Sequence, residues 1–495
     1  LSPYQNAVNN FLIGQLEANG GLFPYNTREY LASARLDHQF GAHDQAFLRY
    51  DYGHDLEESP DVQSLTGFSA GSSLHTYDNT LDASWFHEFS ATAQNEARVQ
   101  FDYNYTGVIP NQPAEVGLQI PGVASLGTNI FLPNRAILRR YEFADNVTMS
   151  RGHHTFKFGA DELLRGDHTE AHTYMPGRFI FGTLPGGLLS PCFASPLANC
   201  GVAAFPATID PLQAASLGAP VLLEQGFGSE VYGATRPYTA LYWQDSWQIV
   251  PNFTFNFGLR YEMDTESAPL NSDYNNVAPR ISFAWDPVGD HKTVIRAGYG
   301  IYYGTTYFQI PDVVNTLGVL NKNGTSVENQ GPADQVTNAI AACGILNFVP
   351  PSGSSPCQRK IGIYVVPLTG YPANPAVFFN PNPTYTSATA FGGLFAQGLV
   401  QCTTPTAGNA ACITPAALSP LIGVPITNSG PIPPVAVLFS DQRKYQDPYS
   451  QQAEFGIERE IAPGLSISGS FIYSHTIRLP VALDTNILSA PTVTL

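Results

Sequence analysis

Imidazoles, thiols and carboxylates are the groups in this chain that could hold a metal or catalyse a reaction. His153 and His154 are adjacent, and His168 and His172 are four apart. On a strand, that second spacing puts both rings on one face, where a metal clip is conceivable. No cysteine lies near either grouping, so solvated turn histidines are the expected reading, with no metal and no cofactor. Serine, histidine and aspartate are plentiful, but no Gly-x-Ser-x-Gly elbow occurs at a strand-to-helix turn, so a hydrolase has little support. Gly182, Gly186 and Gly187 are loop glycines that open no helix, which excludes a phosphate cradle. The acidic run Asp55-Leu56-Glu57-Glu58-Ser59-Pro60-Asp61 reads as solvated loop rather than a calcium site. No catalytic residue emerges, and an enzyme is not expected.

The six cysteines fall into three near neighbours: Cys192 with Cys200, Cys343 with Cys357, and Cys402 with Cys412. Six cysteines allow about 15 connectivities, and sequence does not choose among them. Each pair lies within one Pro/Gly-rich segment, so local bridges are expected, in an oxidising compartment such as periplasm or cell surface. Reduced thiols in a cytosolic chain are the alternative.

The charges that remain sit in a pattern, and the pattern defines elements. After Pro251-Asn252, Phe253, Phe255, Phe257, Leu259 and Tyr261 point one way, while Thr254, Asn256, Gly258, Arg260 and Glu262 point the other. A strand with an aromatic face and a charged face lies between two unlike environments. Lipid outside and a wet lumen inside satisfy both. The alternation recurs. Ala97, Val99, Phe101, Tyr103 and Tyr105 oppose Arg98, Gln100, Asp102 and Asn104; Ile281, Phe283 and Trp285 oppose Arg280, Ser282 and Ala284; Ile295, Ala297, Tyr299, Ile301 and Tyr303 oppose Arg296, Gly298 and Gly300. Arg98, Asp102, Arg260, Glu262, Arg280 and Arg296 are therefore the candidate lumen-facing charges, with cross-strand register pairing as their plainer role. Trp243, Trp247, Phe253, Phe255, Phe257, Tyr261, Tyr299 and Tyr303 are the candidate lipid-facing or girdle aromatics, with an ordinary core as the alternative.

Twelve long strands are predicted, in six hairpins: 30–40 with 44–54, 75–89 with 93–106, 140–150 with 154–166, 237–250 with 252–263, 277–287 with 292–303, and 446–461 with 464–475. Many reach the roughly 9–11 residues that a tilted membrane strand needs. Turns within hairpins are tight. Between hairpins most connections are long: 55–74, 107–139, 167–236 and 304–445, rich in Pro, Gly, Ala and Thr and expected to be solvated surface with short strands such as Gly177 to Gly182. Short turns at one end and long loops at the other fit an outer-membrane barrel better than a soluble sandwich or propeller.

The bulk numbers agree. Only 13% of the 495 residues are charged, against roughly 25% in soluble domains, and 12% are aromatic. The net charge of −17 excludes a nucleic-acid partner, since phosphate contacts need clustered Lys and Arg. A mean hydropathy of −0.08 is compatible with alternating barrel strands, and no apolar run is long enough for a transmembrane helix.

Three blocks resemble the barrel region of TonB-dependent outer-membrane receptors, particularly the Oar-like branch: Tyr242 to Glu262, Asn276 to Tyr303, and Tyr449 to Tyr473. A weaker likeness covers Ala34 to Phe40 and Phe47 to Tyr50. The resemblance implies a bacterial outer-membrane transporter of about 22 strands with a plugged lumen, driven by the TonB complex of the inner membrane. Neither plug nor TonB-binding box is visible, and only about half of such a barrel's strands are found. The expected organisation is thus a truncated barrel: 1–29 the tail of an upstream loop, 30–475 the barrel region, and 476–495 the start of a further loop. The expected function is binding of a substrate at the long loops and its import through the lumen. A passive porin-like or adhesin barrel, or a secreted β-rich surface protein, are the alternatives.

Overall fold

The computed structural model describes residues 3–185, 208–317 and 445–481, apart from 114, 175, 219, 221, 229–230 and 268–269. It also describes short strand segments at 320–321, 357–358, 361–367 and 435–437. Twelve long strands form one antiparallel sheet in which every neighbour in space is a neighbour in the chain. They are β1 (Asn26–Gln39), β2 (Asp44–Glu58), β3 (Ser72–Ser90), β4 (Ala93–Pro110), β5 (Asn134–Arg151), β6 (His154–Ala171), β7 (Val231–Val250), β8 (Phe253–Asp264), β9 (Asp273–Trp285), β10 (Thr293–Tyr303), β11 (Tyr449–Ala462) and β12 (Leu465–Ile477). All twelve predicted strands are present in the predicted hairpins. Several run longer than expected at the long-loop end, and Asp55 to Glu58, read as loop, pair with Asn26 to Glu29.

The register keeps unlike residues apart because the side-chain period is two. Tyr242↔Arg260, Ala240↔Glu262, Gly258↔Arg280 and Ala284↔Arg296 share one face; Trp243↔Leu259, Trp247↔Phe255, Phe257↔Ile281 and Phe253↔Trp285 share the other. Among the described residues β1 and β12 each pair with a single strand, so the sheet is not closed and both edges lie open.

The described parts of the long connections are more than solvated surface. Pieces of three of them combine into a second, six-stranded sheet in the order Val435–Val437, Ile361–Pro367, Leu222–Gly228, Arg178–Ile180, Gly117–Ile120, Ala124–Leu126. The strand expected within Gly177 to Gly182 is its fourth member. Phe179, Phe181, Ile120, Leu118 and Leu126 are buried there, so an apolar core lies among the loops. The segment expected as an upstream loop tail instead contains helix α1 (Pro3–Asn19). Val8 and Leu12 of α1 are buried, and the helix packs on α2 (Pro211–Ser216) and on the loop strand Ala124–Leu126. It stops at Gly20-Gly21, where Gly21 takes φ +119, a backbone that disfavours any side chain. Asp210 caps α2 by accepting from the Gln213 N–H while the Gln213 amide oxygen accepts from the Asp210 N–H. A third helix, α3 (Gln309–Leu317), follows β10 and packs against β7.

Candidate functional site

The polar face of the sheet carries its densest charge where β5 to β9 approach the long loops. The register places Asp102, Arg140, Arg165 and Arg236 side by side across β4, β5, β6 and β7. Three neighbouring arginines would repel one another unless acids stand between them. They do. Asp167 accepts from Arg236 Nε at 2.7 Å and pairs with Arg140 at 2.9 Å. Glu266, just beyond β8, accepts from Arg236 Nη1 at 2.8 and 3.0 Å. Asp264 accepts from Arg165, whose Nε also donates to the Arg236 carbonyl at 3.1 Å. Arg236 is 1% exposed and Arg165 3% exposed, so these planar guanidinium groups are committed to their carboxylates in a site largely closed to water.

Two further carboxylates lie beside this network without a cation of their own. Asp447, two residues before the start of β11, accepts from the Asn276 amide at 2.7 Å and from the Thr306 hydroxyl at 3.4 Å. Its own N–H donates to Asp273 at 3.0 Å. The count of acids over arginines here is five (Asp167, Asp264, Glu266, Asp273, Asp447) to three (Arg140, Arg165, Arg236). Burial, with neighbouring carboxylates, pushes Asp447 up to about 7. Burial likewise pushes Glu266 up to about 7 in spite of Arg236 beside it.

The six charges read from sequence fall on this same face but do not form one site. Arg260 donates to Glu262 at 2.7 Å and to Asp161 at 3.2 Å. Asp102 accepts from Thr80 at 3.0 Å, while Arg98 pairs with Glu96 at 2.5 Å near the short turns. Arg280 lies over the Tyr302 ring at 4.5 Å, and Arg296 is 61% exposed and 3.8 Å from Glu458. A groove of about 630 Å³ runs along this face past Lys157, Tyr242, Arg260, Arg280 and Tyr302.

Sequence reasoning missed Arg165, Asp167, Arg236, Asp264, Glu266 and Asp447. The signal was there for two of them: Arg165 and Asp167 keep phase with Asp161, past the point where the aromatic partners thin out. Arg236 falls one residue before the expected start of its strand.

On the opposite face, Trp243, Trp247 and Tyr299 are exposed, and Phe253, Phe255, Phe257, Tyr261 and Tyr303 are partly so. His154, read as a solvated turn residue, stacks on Trp247 at 5.2 Å and is hydrogen-bonded to the buried Asp245 at 2.7 Å. His168 and His172 do not converge on a shared ligand: the His172 ring contacts the Pro133 carbonyl, while His168 lies 3.6 Å from Glu170. Gly67-Phe68-Ser69-Ala70-Gly71 spells the elbow pattern, yet Ser69 is buried and its hydroxyl accepts from the Gly127 N–H at 2.8 Å. It is a structural tie. Among the described residues no group of three or more His, Cys, Asp or Glu could hold a metal ion. Cys192, Cys200, Cys343, Cys402 and Cys412 lie outside the described residues; Cys357 is described only as backbone opposite Asn321.

A meander of long antiparallel strands with one polar and one apolar face, and with short turns at one end only, is the architecture of an outer-membrane β-barrel. The family model for the outer membrane beta barrel domain matches residues 6–270 and 264–373. The chain belongs to that family, and its place is the outer membrane. No curated protein matches it. Among solved structures, it is similar to the outer-membrane transporter YddB from Escherichia coli, with 12% identity, a TM-score of 0.44, and coverage of 88% of this chain and 38% of that one. It is also similar to the ferripyoverdine receptor of Pseudomonas aeruginosa, with 10% identity, a TM-score of 0.41 and coverage of 91% and 50%. The ferric enterobactin receptor of the same organism gives 11%, 0.39, 90% and 51%. The chain thus spans between 38% and 51% of the length of these three structures.

Proposed function

We propose that this chain is the barrel part of a TonB-dependent outer-membrane receptor that binds a substrate at its long-loop end and imports it through the lumen. The observation that carries the reading is the asymmetry of the sheet. Its hairpin turns are short at one end, while at the other three long connections contribute strands to a second sheet. Specificity then belongs to the connections 107–139, 167–236 and 304–445, because a fixed scaffold leaves loops free to vary. The polar face, with Arg98, Asp102, Arg260, Glu262, Arg280 and Arg296, lines the lumen. The aromatic face meets outer-membrane lipid. The cysteine pairs close local loops on the cell-surface side. Energy coupling through the TonB complex rests on the likeness of Tyr242 to Glu262, Asn276 to Tyr303 and Tyr449 to Tyr473 to that family.

The test is the native polypeptide in isolated outer membranes, first by intact mass and then by conductance in planar bilayers. A plugged receptor has a mass well above 53.5 kDa and no steady conductance. A 53.5 kDa polypeptide with steady ohmic conductance would instead establish a passive barrel.

A further inference from the structure

The stem formed by residues 304–307 and 445–448 is held to the ends of β8 and β9 by a set of polar contacts. The Gly304 N–H donates to the Pro448 carbonyl at 2.8 Å, joining the two halves of the stem. Thr306 N–H donates to Asp264 at 3.4 Å, and the Thr306 carbonyl accepts from Arg236 at 3.4 Å. Asp447 is 2% exposed and ties the other half through Asn276, Thr306 and Asp273.

The charges facing Asp447 are unfavourable. Asp264 and Glu266, at and beyond the end of β8, and Asp273, at the start of β9, are all buried. The nearby cations are spoken for: Arg165 on β6 by Asp264, Arg236 on β7 by Asp167 and Glu266, Arg140 on β5 by Asp167. A carboxylate desolvated among other carboxylates must take a counter-charge or shed its own. Among the described residues no group of three or more His, Cys, Asp or Glu is arranged to hold a metal ion.

We propose that Asp447 carries a proton in the closed stem, and that this proton makes the stem a pH-sensitive clamp. The local geometry accommodates it. The Asn276 amide keeps its bond to Asp447 Oδ2, and a proton on Oδ1 reverses the contact with Thr306, the acid O–H donating to the hydroxyl oxygen. The Thr306 hydroxyl hydrogen then turns away from Asp447; the other titratable group at that hydroxyl is Tyr445, which burial pushes up and so keeps neutral. Titration by neighbours and burial agrees, since Asp447 is pushed up to about 7. Its folded value lies above the unfolded one, so its contribution is complete below the ordinary aspartate range and is lost as pH rises through about 7. The clamp holds in mildly acidic surroundings and loosens in mildly alkaline ones. It stands whether or not the barrel is an energised receptor.

The test is hydrogen exchange of the stem amides at 304–307 and 445–447 in the full-length native protein in lipid, corrected for intrinsic rates. Between pH 5 and pH 8.5 the wild type should lose roughly ten- to hundredfold of its protection in one transition. Asp447→Asn reproduces the protonated acid in shape and hydrogen bonding; with Glu266→Gln in the background of both proteins, to remove the other acid pushed up to about 7, its protection should stay flat over that range. As a check independent of that variant's folding, Glu266→Gln with Asp447 intact should lose a protonated-carboxyl infrared band over the same transition. Protection that does not change with pH in the wild type, or that changes equally in Asp447→Asn, overturns the proposal. So does full recovery of protection at pH 8.5 on adding calcium, which would make the missing counter-charge a metal ion.

Discussion

Replacing Arg236 with methionine is the sharpest probe of the charge network, because it removes the charge while keeping most of the side-chain length. Arg236 satisfies Asp167 at 2.7 Å and Glu266 at 2.8 and 3.0 Å. Breaking a buried pair by removing one partner costs about 3–5 kcal/mol, since the remaining charge is left in a poorly solvating site. Neither acid is wholly abandoned here. Asp167 keeps Arg140 at 2.9 Å, and Glu266 keeps Arg165 at 3.6 Å. The lower end of the range, about 3 kcal/mol, is therefore expected. Glu266 already titrates at about 7, so it relieves the loss by taking a proton in acid. The deficit should accordingly be larger at pH 8 than at pH 6. Urea titration of the full-length protein in detergent measures it, read from the midpoint at constant slope. Arg236→Met combined with Glu266→Gln should recover part of the deficit at pH 8. A single-variant loss below about 1 kcal/mol at both pH values would refute the reasoning, because it would mean that the network is solvated.

The assignment of faces is tested by Trp243→Arg against its neighbour Gln244→Arg: the first should cost about 2–4 kcal/mol in lipid and the second under about 1 kcal/mol, by the same titration. Reversal of that order would exchange lumen and lipid. At Gly300 an added Cβ would lie 3.0 Å from the Tyr302 ring, so Gly300→Ala should displace the ring from Arg280 and cost about 0.5–1 kcal/mol. In a Tyr302→Ala background the same change should cost nothing, and an equal cost there would mean the ring is not involved. Asp286 accepts from the Val288, Gly289 and His291 N–H groups in the β9–β10 turn. Burial works to raise its titration, but these donors together hold it below the usual aspartate range. A depressed value gives stability present above the unfolded pKa and lost as pH falls through the folded one. Amides of this turn should lose protection in acid, whereas Asp286→Ala should leave them unprotected at every pH.

The strands were legible because each carries its own repeat: aromatic against charged, every second residue, over ten or more positions. A local repeat of that kind needs no knowledge of the partner strand. Strand ends were less legible, and for an instructive reason. Around Arg165 and Asp167 the outward residues stop being aromatic while the inward ones stay charged, so the contrast that marks a strand fades as the chain leaves the hydrocarbon. The most densely bonded side chains lie in that faded zone. The loop sheet was nearly invisible, since Arg178–Ile180 and Ala124–Leu126 are too short to show a period and their partners are distant in sequence. Helix α1 was illegible for a similar reason: its apolar residues make too weak a stripe to stand out from the polar residues around them.

The second sheet also bears on how the long-loop end could change. Arg178–Ile180 sits between Gly117–Ile120 and Leu222–Gly228, and Leu222–Gly228 pairs in turn with Ile361–Pro367. Segments from three connections share one hydrogen-bonded unit, so none of them is a free cassette. Any molecule that contacts this sheet contacts a composite surface, absent from any single loop peptide. Exchanging one loop with a relative would break pairings in the other two. Diversification should therefore proceed by concerted replacement of the three loops, or by point changes that leave their backbone ladder intact.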